Sequence, residues 1–250
     1  MATIAVYSLK GGVGKSTIAV NLSYLSATVS GRRTLLWDID AQGAAGFLLR
    51  RERQKGIASR IFSRETQPSA LVAKTDYAGL DLLASDMSLR QLDVQLVEED
   101  ARKRLRKLLR SLEEDYNRIF LDCPPGLTEI SEQIFRAVDL IVVPVPPAPL
   151  ALRALDEIVA HIGSQKSDFP EILPVLSMVD RRRKLHREIM TDHPDWPVLP
   201  EASIVERMSV ECAPLGTFAP RHPASMAFMG LWSAVERRIL DLSERQARRK

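Results

Sequence analysis

Short apolar runs alternate with longer amphipathic segments along most of the chain. The short runs are rich in valine, isoleucine and leucine and are bounded by turn residues, which favours strands. In the longer segments apolar residues recur every three or four positions, which favours helices. The predicted strands cover residues 3–7, 34–39, 80–83, 118–121, 140–143 and 172–178, and the predicted helices cover residues 15–30, 89–112, 150–162 and 223–249.

Strands that alternate with helices are typical of a parallel sheet covered by helices on both faces. Residues 50–76 are polar and poorly patterned, and we expect a short helix with loops there. The sequence shows no internal repeat, low-complexity tract or flexible linker. We therefore predict an α/β fold, with a doubly wound, mostly parallel and Rossmann-like sheet flanked by helices, in a single domain over residues 1–250.

Composition and charge change this picture little. The chain is 45% hydrophobic and 27% charged, which is ordinary for a globular protein, and its formal net charge is +3. The stretch LIVVPVPPAPLAL is broken by four prolines and is shorter than the roughly 18 apolar residues that span a bilayer. Cys123 and Cys212 lie far apart, and we see no secretory signal, so we expect a reducing cytoplasm.

The first predicted strand runs into the glycine-rich stretch SLKGGVGKST. This stretch nearly matches the phosphate-binding loop G-x-x-x-x-G-K-[ST], although Leu9 replaces the first glycine. Glycines allow successive N–H groups to point at an anion, and the N-terminus of the next helix adds partial positive charge. The predicted nucleotide-binding residues are Gly11, Gly12, Val13, Gly14, Lys15, Ser16 and Thr17.

Three side chains of this loop have expected roles. Lys15 neutralises the β- and γ-phosphates, Ser16 places its hydroxyl on Mg²⁺, and Thr17 lies next to the α-phosphate. A glycine-rich connection that binds nothing is the alternative. The strand, the helix and the Lys-Ser pair together favour a nucleotide site, but they leave a second lysine, Lys10, without a role.

Three aspartates lie at the ends of predicted strands, at the edge where open α/β sheets bind ligands. Asp38 and Asp40 alternate at the end of the second strand, so both carboxylates lie on one face. Two like charges so close are unfavourable unless a cation or a water network uses them. Asp122 follows the apolar strand RIFL, where phosphate-loop NTPases carry an aspartate that holds Mg²⁺. For Asp38 and Asp40, a pair of turn-capping aspartates is the alternative.

The spelling K-G-G-x-G-K-[ST], present here as residues 10–16, resembles the deviant phosphate loop of the ParA/MinD family of ATPases. The segment DIDAQGAAG is similar to the family's D-x-D-P-Q-G-N element, with Ala41 and Ala44 in place of the proline and the asparagine. The resemblance covers almost the whole chain. It implies a P-loop NTPase that uses ATP and Mg²⁺ and hydrolyses ATP to ADP and phosphate.

The resemblance also implies roles for single residues. In the family two subunits form a nucleotide sandwich, and the early lysine, here Lys10, reaches the phosphates held by the other subunit. Asp40 would orient the attacking water, Asp38 would support the water and Mg²⁺ network, and Asp122 would hold Mg²⁺ through a water. The implied catalytic residues are thus Lys10, Lys15, Asp38 and Asp40, and the implied metal-site residues are Ser16, Asp38 and Asp122.

Contacts to the base are implied in the C-terminal third. The stretch LPEASIVERMSVECAPLGTFAP is similar to the family's loop that packs against the adenine, with Glu201 in place of the usual arginine. The residues expected to contact the base are Asp180, Arg181 and Pro200.

Basic residues cluster in MVDRRRKLHREIM and in the tail ERRILDLSERQARRK. A solvated surface is one explanation, and non-specific DNA binding, as in the ParA branch, is the other. Such affinity comes from phosphate neutralisation and falls steeply with salt, so a dimer that doubles the contacts binds far better than one subunit. The predicted DNA-binding residues are Arg181, Arg182, Arg183, Lys184 and Arg187.

Membrane attachment, as in the MinD branch, requires an amphipathic C-terminal helix, and DLSERQARRK carries one leucine and no aromatic residue. Iron–sulfur relatives need clustered cysteines, which this sequence lacks, and its four histidines have no ligand spacing.

We therefore expect a cytoplasmic, nucleoid-associated ATPase of the ParA type, without a membrane partner. It would act with a ParB-like or adaptor protein that stimulates hydrolysis, and it would serve DNA partition or cargo positioning. A MinD-like regulator, bound to a membrane or a protein and not using DNA, is the alternative.

Overall fold

The computed structural model describes residues 1–50, 56, 60–61, 65–85, 104–164 and 170–248 of the chain. Within these residues, eight strands form one sheet. The order across the sheet is β3-β4-β2-β5-β1-β6-β7-β8, and every neighbouring pair is parallel except β3 with β4. This confirms the predicted doubly wound, mostly parallel sheet. The strands are β1 Ala2–Val6, β2 Thr34–Asp38, β3 Ala73–Lys74, β4 Leu80–Leu83, β5 Arg118–Asp122, β6 Leu140–Val145, β7 Glu171–Val179 and β8 Val198–Pro200.

The six predicted strands match the observed ones to within two residues at each end. All residues of β1, β2, β4, β5 and β6 are buried, which explains why these strands are largely apolar rather than alternating. The prediction missed β3 and β8. These edge strands contain two and three residues, too few to show a hydrophobic pattern.

Two strands contain a proline without losing ladder hydrogen bonds. Pro144 of β6 lies beyond the segment that pairs with β1, which ends at Val142. Pro174 of β7 lies before the segment that pairs with β8, which begins at Leu176. Each proline therefore occupies a position where one side of the strand has no partner, as the missing N–H requires.

Helices cover the sheet. Three predicted helices match observed ones: 15–30 matches α1 (Lys15–Thr28), 150–162 matches α5 (Pro149–Gly163) and 223–249 matches α10 (Pro223–Arg248). The predicted helix 89–112 contains α3 (Arg104–Arg110), and its residues 89–103 lie outside the described residues. In the polar stretch 50–76 the described residues form a 3₁₀ helix, Pro68–Leu71, and β3. The α-helices are α1 Lys15–Thr28, α2 Ala44–Leu48, α3 Arg104–Arg110, α4 Glu129–Ala137, α5 Pro149–Gly163, α6 Lys184–Asp192, α7 Ser203–Glu206, α8 Met208–Glu211, α9 Leu215–Phe218 and α10 Pro223–Arg248.

The helices of the described residues include none that combines the length and the apolar character needed to cross a lipid bilayer.

The short helices α8 and α9 are tied to α1 by one buried side chain, Asn21. The amide of Asn21 donates to the carbonyl oxygen of Thr17 (2.8 Å) and to the sulfur of Met208 (3.2 Å), and its oxygen accepts from the N–H of Leu215 (2.9 Å). Gly216 packs so closely on α1 that an added Cβ would lie 2.6 Å from the ring of Tyr24. The C-terminal segment is therefore fixed to the helix that follows the glycine-rich loop.

The topology brings the candidate chemistry to one edge of the sheet. β1 lies between β5 and β6, and β2 lies next to β5 on the other side. Because these strands are parallel, their carboxyl ends meet at the same edge. The loop after β1, the end of β2 and the end of β5 carry the glycines, Asp38 and Asp122, respectively.

Candidate functional site

The glycine-rich loop forms an open cradle in front of α1. Gly12 and Gly14 have left-handed backbone conformations, with φ of 73° and 92°, which side chains with a Cβ rarely adopt. A Cβ added at Gly11, Gly12 or Gly14 would meet no atom within 4 Å, so the inner side of the loop is open space. Gly14 caps α1 without a side-chain hydrogen bond. The first N–H groups of α1 are thus available to an anion.

Lys15 is buried in this cradle, with 7% of its surface exposed. Its ammonium donates to the carbonyl oxygen of Lys10 at 3.3 Å. An ammonium this buried requires negative charge close by, since burying an unpaired cation is strongly unfavourable. The Lys10 side chain is half-buried, and its ammonium has no ion-pair partner among the described residues. The two lysines therefore share one loop but face different surroundings.

Asp38 and Asp122 lie side by side at the ends of two adjacent strands. They are paired in the parallel register of β2 and β5, and both are fully buried. Asp38 accepts hydrogen bonds from the N–H groups of Asp40 (3.1 Å) and Gly46 (3.2 Å). Both carboxylate oxygens of Asp122 are buried and accept no hydrogen bond of regular geometry from the described residues, with the Ser16 hydroxyl as the neighbouring donor.

Burial raises the pKa of both carboxyls, and for Asp38 the charge of the neighbouring Asp122 raises it further. The Ser16 hydroxyl and the Lys15 ammonium oppose the rise in the pKa of Asp122. Two buried carboxylates, one with orphaned oxygens beside a serine hydroxyl, are the oxygen donors that Mg²⁺ prefers. The residues predicted to hold Mg²⁺, Ser16, Asp38 and Asp122, thus lie together and fit a hard cation.

Asp40 lies beyond the end of β2 and lines the pocket above the cradle. Its carboxylate accepts from the N–H of Gln42 (2.9 Å), and its carbonyl oxygen accepts from the Ser85 hydroxyl. The pocket has a volume of about 320 Å³. Its lining contains Gly11, Gly12, Gly14, Lys15, Ser16, Thr17, Asp40, Gln42, Ala44, Pro125 and Met178.

Four of the lining residues, Gln42, Ala44, Pro125 and Met178, are not among the predicted site residues. Gln42 and Ala44 follow Asp40 in the segment DIDAQGAAG, so the motif could have indicated them. Met178 carries no sequence signal. Its backbone is left-handed, with φ of 55°, and it lies where the register between β7 and β8 shifts between Leu176 and Val179. The irregularity brings the exposed Met178 side chain to the pocket.

The remaining predicted nucleotide contacts do not line this pocket. The Val13 side chain is buried in the protein. Asp180, Arg181 and Pro200 lie together at the ends of β7 and β8, where Val179 pairs with Pro200. The carboxylate of Asp180 is engaged by Arg182, with distances of 2.9 and 3.0 Å from the guanidinium, and this pairing lowers the pKa of Asp180 to about 2.

The predicted DNA-binding residues are exposed and lie in the loop at the carboxyl end of β7 and in the first turn of α6, which together are called the basic loop. The loop is internally braced, because Arg187 donates to the carbonyl oxygens of Arg181 and Arg182, and buried His186 accepts from the N–H of Asp180. Some of the N–H donors of Arg182 and Arg187 are therefore already bonded to groups of the loop itself. The exposed cations with no such contact to the loop are Arg181, Arg183 and Lys184, of which Lys184 lies 3.6 Å from Glu188.

The basic tail lies at the other end of the sheet. Arg238 and Arg245 of α10 form ion pairs with Glu171, the first residue of β7. β7 runs nine residues from Glu171 to Val179, roughly 26 Å, and the loop begins at the next residue, Asp180. The tail is therefore not a continuation of the loop surface.

Sequence comparison places this architecture among known proteins. Residues 1–174 match the family described as an AAA domain. The chromosome partitioning protein ParA of Myxococcus xanthus is 31% identical over 196 residues, which cover 76% of this chain and 69% of that protein. ParA of Caulobacter vibrioides is 29% identical over 201 residues, covering 77% of this chain and 75% of that protein.

Solved structures share the fold. Apo McdA from Cyanothece superimposes with a TM-score of 0.81 at 20% identity, over 94% of this chain and 99% of that one. MinD from Pyrococcus horikoshii, solved with Mg-ADP, superimposes with a TM-score of 0.74 at 20% identity, over 94% of this chain and 95% of that one. The loop of residues 10–16, the matched family and the relatives agree: this chain belongs to the ParA/MinD family of deviant Walker A ATPases.

Proposed function

We propose that the chain is a ParA-like ATPase that binds Mg-ATP, dimerises around two nucleotides, binds DNA without sequence preference and leaves it on hydrolysis. The observation that carries the proposal is the pair of lysines on one exposed loop, one buried beneath the cradle and one without an ion-pair partner among the described residues. A single lysine is sufficient for the phosphates of one nucleotide. The second one supports a role toward another anion.

Binding and hydrolysis of ATP follow from the groups around the pocket. The cradle amides and Lys15 would hold the phosphates, while Ser16, Asp38 and Asp122 would hold Mg²⁺, which supplies charge neutralisation at the phosphates. Asp40 is the pocket-lining carboxylate that is not fully buried, so it remains able to orient a water at the γ-phosphate. Such a site accelerates hydrolysis chiefly by positioning and by charge stabilisation.

Dimerisation would depend on Lys10. Gly11 and Gly12, next to it, are exposed, so a second molecule has access to the loop. The carbonyl oxygen of Lys10 is held by Lys15, which fixes the start of the Lys10 side chain at the mouth of the cradle. If each Lys10 contacts the phosphates of the other subunit's ATP, the bound triphosphate joins the two copies.

DNA binding would use the basic loop at the same edge of the sheet as the nucleotide. Three exposed cations per subunit, Arg181, Arg183 and Lys184, give six in a dimer. With about 0.9 counterions released per contact, the logarithm of the affinity would fall by about 5 per tenfold rise in salt for the dimer, twice the value for one subunit. This difference makes dimerisation an effective switch for DNA binding.

A cellular role follows from these properties. ParA of Myxococcus xanthus and Caulobacter vibrioides are chromosome partitioning proteins by name. We infer a related role here, in partition of DNA or positioning of a protein cargo over the nucleoid in the cytoplasm, with a ParB-like or adaptor protein that stimulates hydrolysis. The second candidate, a MinD-like regulator that does not use DNA, is supported by the structural likeness to MinD.

Removal of one lysine at a time separates their roles. Lys15→Ala should weaken ATP binding by roughly 100-fold, because a charge-assisted contact to the phosphates is lost. Lys10→Ala removes the same charge five residues away and should change ATP binding by less than about threefold at protein concentrations where the chain is monomeric. Titration calorimetry with a non-hydrolysable ATP measures both. Equal losses in the two variants would contradict the assignment.

Asp40→Ala tests the residue that orients water. The variant should bind Mg-ATP normally and hydrolyse it at least about 100-fold more slowly, so that the ATP-bound dimer accumulates. Asp156→Ala, which removes an exposed carboxylate from α5, is the control and should behave like the unmodified protein. Phosphate release and size-exclusion chromatography with ATP measure the two effects. Hydrolysis by Asp40→Ala at the normal rate would show that another group orients the water.

Charge reversal tests the DNA surface. The double variant Arg183→Glu, Lys184→Glu should lose DNA binding, with the dependence of affinity on salt reduced by about 3 to 4 for a dimer, while its ATPase activity is retained. The matched double variant Arg237→Glu, Arg248→Glu makes the same charge change on exposed tail residues and should bind DNA nearly normally. The measurement is a salt titration of DNA binding with ATP, with ADP and without nucleotide. Loss of binding in the tail variant alone would place the surface at the other end of the sheet, and the absence of binding in the unmodified protein would favour the MinD-like alternative.

A further inference from the structure

The turn that follows Asp122 forms one wall of the pocket but is weakly held by its own backbone. Residues 124–127 read Pro-Pro-Gly-Leu, and the two prolines have no N–H to donate. Pro125 lines the pocket opposite the phosphate loop. Gly126 has φ of 88°, a left-handed conformation in which the turn exposes its carbonyl oxygen to the protein interior.

That carbonyl oxygen is held by Tyr7. The phenol of Tyr7 donates a hydrogen bond of 2.9 Å to the oxygen of Gly126. Among the described residues, this is the one hydrogen bond that reaches residues 124–127; the bonds on either side join Cys123 to Val6 and Thr128 to Ser131. Between these two anchored flanks, the Tyr7 hydroxyl supplies the hydrogen bond that holds the turn itself.

Tyr7 is itself rigidly placed. It is fully buried, and its N–H donates to the carbonyl oxygen of Val142 at 3.1 Å. Its ring meets that of Phe135 edge to face, with 4.9 Å between centroids. Burial raises the pKa of the phenol above its ordinary value, so the hydroxyl stays protonated and remains a donor. Tyr7 directly precedes Ser8, where the phosphate loop begins, so it links that loop to the turn.

We propose that Tyr7 is a positioning residue for hydrolysis of ATP: its phenol holds the turn 124–127 so that Pro125 is a fixed wall beside the phosphates. The inference rests on the proposed function. Tyr7 does not line the pocket and acts only through the turn. Its removal would let the turn move and would disturb the alignment of the groups around the γ-phosphate.

This role predicts a loss in turnover rather than in binding. The cradle amides and the Lys15 ammonium keep their own contacts when the Tyr7 hydroxyl is removed, so ground-state binding of ATP persists. Alignment of water and phosphate is more demanding, since a displacement of about 1 Å can slow a reaction by roughly 100-fold. A change in kcat at nearly constant KM is the signature of an interaction that matters only in the transition state.

A second buried tyrosine provides the matched control. Tyr116 is 8% exposed, and its phenol donates to Asp81 at 2.8 Å. It lies just before β5, at the amino end of the sheet, away from the nucleotide edge. Tyr7→Phe removes the phenol's hydrogen bond to Gly126 and its contact with the Ser131 hydroxyl, Tyr116→Phe removes the hydrogen bond to Asp81, and both leave the ring in place.

The experiment compares steady-state ATP hydrolysis, with saturating Mg²⁺, in the unmodified protein and in the two variants. Tyr7→Phe should lower kcat by about tenfold and change KM for ATP by less than about twofold. Tyr116→Phe should leave both constants within about twofold. Hydrogen exchange of a peptide that covers residues 126–134 is the second measurement, and exchange there should be faster in Tyr7→Phe than in Tyr116→Phe, because the cap at Thr128 and Ser131 ends the freed turn.

Equal kcat values in the two variants would overturn the proposal, and so would unchanged exchange in Tyr7→Phe. A loss of kcat shared by both variants would point to general destabilisation and would also overturn it. Absence of ATP hydrolysis by the unmodified protein would instead contradict the proposed function. In that case the exchange measurement still decides whether Tyr7 holds the turn.

Discussion

Asp38 and Asp122 are paired across adjacent parallel strands with both side chains fully buried, and the other parts of the site are arranged around this pair. Burial removes the hydration of both carboxylates and therefore raises the pKa of both groups. The charge of Asp122 raises the pKa of Asp38 further. Positive charge close to the pair stabilises the ionised carboxylates, and the buried Lys15 ammonium supplies part of that charge. The carboxylate oxygens of Asp122 are free to bind further positive charge, and a divalent cation fits this requirement.

The parallel sheet is what creates this pair. Its strands deliver the glycine-rich loop, Asp38 and Asp122 to one edge because β1, β2 and β5 run in the same direction. The start of α1 adds uncapped N–H groups to the same place. Groups suited to an anion and buried carboxylates suited to a cation therefore meet at one edge of the sheet, as binding of a nucleotide together with its metal would require.

Much of this arrangement could be predicted from the sequence, because the strands that carry it are buried and largely apolar and are followed by turn residues. The loop after β1 and the acids after β2 and β5 are each recognisable from a strand followed by polar residues of defined type. The edge strands β3 and β8 could not be predicted, since two or three residues show no period. The roles of Met178 and Tyr7 could not be predicted either. Met178 reaches the pocket through a left-handed backbone, and Tyr7 contacts Gly126, which lies 119 residues further along the chain. The basic loop was recognisable as a charge cluster, but its internal bracing by Arg182, Arg187 and His186 was not.

We propose that bound ATP joins two copies of this chain through Lys10. The most direct test is the molecular mass in solution, by sedimentation velocity, of the unmodified protein saturated with Mg²⁺ and a non-hydrolysable ATP, compared with ADP and with no nucleotide. With the triphosphate the protein should sediment as a dimer near twice the 28.0 kDa chain mass, and in the other two states it should sediment as a monomer. A monomer at saturating triphosphate would contradict it.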